Sequence, residues 1–442
     1  MALSRWVALS AAACSGVLGC ASDEPSLAAL RSSANARIKQ GPPERARSET
    51  VVKLLGEPLT ADTATRVALL NNRNVEAGYE KLGIAHGELE QALRLPNPSA
   101  EVAVRFVKGS DPDLELLATI GLTELALLPL RSSAAHAEIE AARLEVVALI
   151  VDLAFDVRAA LVRYQAADQA LELFHSVVAA TEASADAAAR LHEAGNLTDL
   201  DLASERAFNE EARVAARGAE TARGEARSRL ATLLGLGTGA AWSTGARLAE
   251  PPAAERAADS LERRAVEQSL ALAIAKQRAR AAEKRVTVAR TEGLLPELRA
   301  GVSARREGAW GVGPAAALEL PLFYQGQGKV DAAKAEVRQQ ESLFSALTLE
   351  TRNAAQAAAQ KLKAARENAL AYHNVLLPLR QRVLDQTELE YNAMAVGVFQ
   401  LLQAKRQQIE TARTYVDLLR EYWLAKLDVE RLEAGRSPRS DR

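Results

Sequence analysis

The groups in this chain that could do chemistry are two cysteines, five histidines and 57 carboxylates. The histidines are His86, His136, His175, His192 and His373, and none has a second histidine three or four residues away, the spacing that puts two zinc ligands on one helix face. His192-Glu193 likewise lacks the second His of a zinc helix. Each histidine reads as a solvated or interhelical residue, and no metal site is expected. There is no Gly-rich phosphate loop and no Gly-x-Ser-x-Gly elbow. The carboxylates recur at helix-surface spacings rather than as a buried pair, so general acid–base catalysis has no candidate. The chain is expected to be neither an enzyme nor the holder of a cofactor.

The cysteines sit in a different context. Arg5 is followed by an apolar run from Trp6 to Ala13 and then by small residues up to Val17-Leu18-Gly19-Cys20. This is the plan of a secretory signal, too short to be kept as a membrane span. The Val-Leu-Gly-Cys order resembles a bacterial lipobox, in which the signal is cut before Cys and the thiol takes a diacylglycerol. Ala21 in place of Asp resembles an outer-membrane address. On this reading residues 1–19 are a signal peptide that takes Cys14 with it, Cys20 is the lipidation site, and no cysteine is left for a disulfide. The plainer reading is an ordinary signal with a buried apolar cysteine.

The elements around these groups are helical. A hydrophobic content of 48% with 4% aromatic residues and two Met describes an Ala/Leu-rich helical chain. The 55 basic and 57 acidic residues are interspersed, so charge reads as solvation of helix faces and offers no basic face to nucleic acid. From Leu130 to Ala194 there is no Gly or Pro, enough for one helix of about 95 Å. Within it Ile150, Ala154, Val157, Leu161, Tyr164, Leu171, Phe174 and Val178 recur at steps of four and three, with one missed turn at Asp168, the seam of a coiled coil. Periodicity alone would also suit a cytosolic coiled-coil rod.

What decides against the rod is that the chain is written twice. A helical stretch opening at Leu59-Thr60 stops at Leu95-Pro96-Asn97-Pro98, and another from Leu261 stops at Leu295-Pro296. After each, the period changes to two: Val102, Val104 and Phe106 alternate with Ala103 and Arg105, and Leu298, Ala300, Val302 and Ala304 with Arg299, Gly301, Ser303 and Arg305. Each strand has a hairpin mate that ends in Leu-Pro-Leu, at Leu128-Pro129-Leu130 and Leu320-Pro321-Leu322. A long helix, a turn and a second long helix follow. The organisation expected is a lipidated N-terminal tether at 20–58, a first repeat at 59–234 with its hairpin at 100–123 and long helices at 130–234, and a linker at 235–260. The second repeat is 261–432, with its hairpin at 297–320 and long helices at 329–432, before a polar tail at 433–442. The fold class is mainly α with a small β part.

Strands with small or apolar residues on one face and Arg, Ser, Thr, Glu or Gly on the other match transmembrane barrel strands. Four cannot close a barrel, and in lipid every edge must be paired, so several protomers must pool them. A soluble hairpin at the end of a coiled coil is the alternative for strands this weak. The chain resembles the TolC-like outer-membrane efflux protein family over 59–432. The resemblance rests on Leu95-Pro96-Asn97-Pro98, Leu320-Pro321-Leu322-Phe323, the stretch Leu191-His192-Glu193-Ala194-Gly195-Asn196-Leu197-Thr198-Asp199-Leu200, and Tyr391-Asn392-Ala393-Met394 running into Gly397-Val398-Phe399-Gln400-Leu401-Leu402. It implies a homotrimer forming a twelve-stranded barrel continuous with a periplasmic α-helical barrel. It also implies an outer-membrane location and, as partners, a periplasmic adaptor protein and an inner-membrane pump, with the chain as their passive exit duct.

The family's second-copy pattern often has carboxylates nine and twelve residues after Tyr391, forming an acidic ring at the periplasmic gate. Here those positions are Gln400 and Gln403, while Asp201 matches a first-copy acidic position and Asp199 stands close by. The alternative for Asp199 and Asp201 is plain capping of the returning helix. A periplasmic coiled-coil adaptor would instead have one hairpin beside a soluble β-rich domain, and a structural lipoprotein rod would have no strands. For Cys20 the expected result is a diacylated N-terminal cysteine in the mass spectrum of the mature protein's first peptide; an unmodified Cys20 or cleavage elsewhere removes the lipid anchor.

Overall fold

A computed structural model describes residues 37, 48–106, 112–237, 239–245, 247–252, 260–307 and 309–438. The leader and Cys20 lie outside the described residues. The first copy runs α1 (Ser48–Leu55), α2 (Ala61–Asn71), α3 (Arg73–Leu93), β1 (Ser99–Arg105), β2 (Asp113–Gly121), α4 (Leu122–Glu193) and α5 (Asp199–Leu233). The second runs α6 (Leu261–Gln268), α7 (Leu270–Leu294), β3 (Glu297–Glu307), β4 (Ala309–Glu319), α8 (Gln327–Ala371), a π-helical turn (Tyr372–Leu376), α9 (Leu377–Asn392) and α10 (Val398–Glu433).

Several elements depart from the sequence reading. Ser48–Leu55, placed in an extended tether, is a helix that buries Val51 against the core; two turns are too short for periodicity to register. The single helix expected before each strand is broken once in each copy. Asn72 caps α3 by accepting from the Asn74 amide, and Ser269 caps α7 by accepting from the Leu272 amide. The first long helix starts at Leu122 rather than after Pro129, so Pro129 lies inside it. Leu, Ala and Glu in that first turn favour helix, and one proline removes a single backbone bond. In the second copy Pro321 stays outside, and the helix begins only after Gly326 in the left-handed region, φ +70°. Pro378 follows the π-helical turn, where wider i→i+5 bonding accommodates a ring that would otherwise meet the carbonyl of residue 374.

The four strands form one antiparallel sheet in the order β1-β2-β3-β4. Its register sorts the two faces. Val102 lies opposite Leu116, Leu116 opposite Ala304, and Ala304 opposite Val312; Ala118, Val302 and Pro314 continue the apolar face. The other face carries Ser99, Thr119, Gly301 and Ala315 in one row and Ala103, Glu115, Arg305 and Gly311 in another, with Arg105 opposite Asp113 beyond it. On it Arg305 donates to Asp113 at 2.8 Å and Arg299 to Ser99 Oγ at 3.1 Å. Both β1 and β4 are edge strands, and Pro314 sits in one, where a missing N–H is tolerated.

The main core surrounds the middle of α4. Ile150, Ala154, Val157, Leu161 and Tyr164 of the expected seam are all buried there, against Leu59, Val67, Val75, Leu230 and Trp242. Asp168, at the missed turn, is taken by Arg223 of α5, which also donates to the Tyr164 hydroxyl.

Along the sheet-proximal half of α4 a ladder of ion pairs follows a step of seven. Arg131 pairs with Glu292 (2.9 Å), Glu138 with Arg285 (2.6 Å) and Glu145 with Arg278, so each step down α4 is matched by seven residues back along α7. Lys329 and Glu336 of α8 extend the first two tiers, and Lys81 of α3 the third. The next step is Asp152, which is 6% exposed and receives Arg431 (2.6 Å) and Arg436 (2.6 Å) from the far end of the chain. Burial would raise the Asp152 pKa, but hydrogen bonds and charge from Arg436 and Arg431 outweigh it and hold the carboxyl below the ordinary range.

Asp152→Asn should cost about 3 kcal/mol, because two guanidinium groups lose a buried anion. The folded-state pKa is depressed, so this stabilisation is present above the ordinary Asp pKa and is lost as pH falls through the lowered value. Thermal unfolding of detergent-solubilised protein between about pH 3 and pH 7 should show a lower Tm for the variant, the difference shrinking toward the acid end.

Candidate functional site

The α4–α5 and α9–α10 turns lie at the end of the helices remote from the sheet, and both close with the same hydrogen bonds. In the first, Gly195 N–H donates to His192 O (2.8 Å) and Asn196 N–H to Leu191 O (2.9 Å). In the second, Met394 N–H donates to Tyr391 O and Ala395 N–H to Glu390 O, each at 2.9 Å. This is the Schellman arrangement, whose pivot residue must take positive φ. Gly195 does so at +78°; in the second copy the pivot is Met394 at +60°, a conformation that costs an L-residue about 1–2 kcal/mol. Its side chain is 93% exposed.

After the first turn, Thr198 caps α5 by accepting from the Asp201 amide (3.1 Å), and its hydroxyl donates to Asp201 Oδ2 at 2.7 Å. Asp201 thus has a capping partner. Asp199 lies 3.3 Å from His192 Nε2, with the side chain 97% exposed, while His192 Nδ1 sits 3.0 Å from the Leu197 carbonyl oxygen. The histidine is a staple across the turn. After the second turn, Gly397 N–H donates to Gln400 Oε1 at 3.1 Å, so Gln400 occupies the place of Asp201 in the cap, and Gln403 is exposed on α10.

The two turns meet through Tyr391. It packs against the buried cluster that joins Phe208 of the first copy to Val398 and Leu402 of the second. Burial, then the negative charges of Glu205 and Asp201, push its phenol pKa upward. The structure therefore gathers Asp201, Tyr391 and, unforeseen from sequence, Glu205. Asp199 is engaged by His192, and Gln400 is engaged in its cap. Glu205 is buried and accepts from Ser184 Oγ at 2.9 Å; Asn209, one turn on, accepts from Thr181 Oγ1 at 3.1 Å. Both fall on the apolar seam Leu202, Glu205, Asn209, Ala212, and polar residues at seam positions were the available signal. Arg406 of α10 lies over the Phe208 ring and pairs with Glu211 at 2.8 Å, a second tie between the copies. Among the described residues no group of three His, Cys, Asp or Glu could hold a metal. The site offers acidic and aromatic groups at a helical convergence.

No family model matches the chain. It is 25% identical over 393 residues to the cobalt-zinc-cadmium resistance protein CzcC of Cupriavidus metallidurans, covering 85% of this chain and 90% of that one. Among solved structures, the outer-membrane channel OprN superposes with a TM-score of 0.72 at 18% identity, over 91% of this chain and 95% of its own. The outer membrane protein VceC from Vibrio cholerae gives 0.70 at 14% identity, over 85% and 96%. The fold is that of the TolC-like outer-membrane channels. The two turns differ between the copies in that one pivot is glycine and the other methionine.

Met394→Gly should stabilise the second turn by about 0.5–1 kcal/mol, the relieved left-handed strain exceeding the entropy of an added glycine. Slower hydrogen exchange at the Ala395 amide would show it; unchanged or faster exchange means that the turn carries no such strain.

Proposed function

We propose that the chain is an outer-membrane exit duct for efflux, formed by three copies, lipid-anchored at Cys20 and passive, that accepts cargo from an inner-membrane pump through a periplasmic adaptor. The observation that carries this reading is the sheet. Its apolar face is exposed, with Val102, Val302 and Val312 among the exposed side chains, its other face is polar, and its two edges belong to the first and last strands of the chain. An up-and-down sheet of that kind closes when β4 of one copy pairs with β1 of the next, and closure is required in lipid. Among the described residues no helix is long and apolar enough to cross a membrane.

The similarity to solved outer-membrane channels supports the location, and that to CzcC supports efflux. Because that relative is named for cobalt, zinc and cadmium resistance, divalent metal cations are the cargo to test first. The polar sheet face carries Glu101, Asp113, Glu115, Glu297 and Glu319 against Arg105, Arg299 and Arg305, an acidic excess suited to cations. At the other end, Asp199, Asp201, Tyr391, Gln400 and Gln403 belong to the gate, with Asp201 and Glu205 as its acidic part. Glutamine at both second-copy positions makes this constriction less acidic.

Native mass spectrometry in detergent should give three chains; a stable monomer with full β content sinks the assembly and favours an adaptor or a structural lipoprotein. In a planar bilayer the purified protein should show modest cation selectivity that falls in the Asp199→Asn, Asp201→Asn double variant. Unchanged selectivity would leave those carboxylates as caps and nothing more.

A further inference from the structure

We infer that Leu322-Phe323-Tyr324 is a bilayer-interface anchor, a rigid loop that seats its side chains in the leaflet nearer the helices and fixes the height of the sheet in the membrane. The inference rests on the reading of the sheet as membrane-embedded.

The loop has no counterpart in the first copy. There β2 passes straight into α4 at Gly121–Leu122, whereas β4 and α8 are separated by 320–326. Phe323 is 95% exposed, and Leu322 (71%) and Tyr324 (65%) stand beside it. Such exposure in a mobile loop would mean little, but this loop is held at both ends. Leu322 N–H donates to the Leu320 carbonyl at 2.8 Å and Gln325 N–H to Gln327 Oε1 at 3.1 Å. Its base rests on α7, where Gly293 is so close that a Cβ would come within 2.0 Å of the Gln325 carbonyl oxygen. Gly326 completes this contact from the loop side at φ +70°. Aromatic side chains on a fixed pedestal lose little entropy on entering a second phase.

Three features identify that phase as lipid. First, the loop continues the apolar sheet face, where Leu318, Ala316, Pro314, Val312 and Trp310 follow upward on β4. Leu95, Leu294 and Leu295, at the same ends of β1 and β3, are exposed with it. Second, the strand is short for the task. Leu318 to Trp310 covers about 27 Å at 3.4 Å per residue, which a tilt of about 40° reduces to about 21 Å, below the band of about 25 Å usual for outer-membrane barrels. The loop supplies the missing height at the helical end, while Trp310 and Phe106 mark the other. Third, the charges begin immediately below, with the Arg131–Glu292–Lys329 tier of the ladder. Aromatic side chains between hydrocarbon and charge are at home in the headgroup region.

The test uses the full chain reconstituted in phosphatidylethanolamine–phosphatidylglycerol vesicles, with a nitroxide attached at Phe323→Cys, Val312→Cys or Val52→Cys, and unsubstituted protein treated alike as the background from Cys20. Accessibility to oxygen against a water-soluble nickel chelate reports depth. The expected result is oxygen-favoured relaxation at 312, the same preference at shallower depth at 323, and nickel-favoured relaxation at 52. Oxygen preference at 312 with nickel preference at 323, or shielding of 323 from both reagents, overturns the anchor and leaves the duct intact. Nickel preference at both 312 and 323 overturns the anchor together with the membrane reading of the sheet.

Discussion

The register between α4 and α7 depends on charge. Apolar seams built largely from alanine discriminate weakly between one heptad offset and the next, because neighbouring offsets bury nearly the same surface. The pairs Arg131–Glu292, Glu138–Arg285 and Glu145–Arg278 do discriminate, since a slip of one heptad, about 10.5 Å, would set Glu138 beside Glu292 and Arg131 out of reach. Each exposed pair contributes less than about 1 kcal/mol. Glu145 is better placed: burial would raise its pKa, yet Lys81 and Arg278 hold it below the ordinary range. Because α4 belongs to the first copy and α7 to the second, the ladder aligns the two halves and delivers β2 and β3 to one another in register.

The sheet inherits that alignment and has little of its own. Its faces are both open in the single chain, and it has no enclosed core beneath it. Its order comes from backbone pairing, from the Arg305–Asp113 and Arg299–Ser99 contacts, and from the packing of α4 on β3. At the opposite end the pairing of copies is looser in chemistry but equally direct, with Phe208 clustered with Val398 and Leu402 and Arg406 on Glu211.

Much of this was legible in sequence where a period decided it. Leu298, Ala300, Val302 and Ala304 had to share a face once they formed a strand, and Ile150 through Tyr164 had to share a seam. Whatever depended on antiparallel offset was not legible: Glu138 and Arg285 look like solvated charges until the helices carrying them are aligned. Pro129 misled because proline terminates helices more often than it sits within them. Glu205 was missed because a carboxylate on a polar-rich helix reads as surface unless the seam is already drawn through it. Asp201 was legible in sequence both as a pore group and as a cap, and its hydrogen bonds with Thr198 are those of the cap.

The π-helical turn has a further consequence. Leu362, Ala365, Ala369, Tyr372, Leu376, Leu379 and Val383 keep an unbroken heptad spacing in the sequence. The first three are buried, but Leu376, Leu379 and Val383 are 36–47% exposed, and no side chain of α9 is buried. A π-turn takes up one residue more than an α-turn and so rotates everything after it by about 100°. The written stripe and the folded stripe are therefore out of phase by one residue, as on the two scales of a vernier: with the extra residue placed at the Met394 turn instead, Leu376, Leu379 and Val383 would fall back onto the seam.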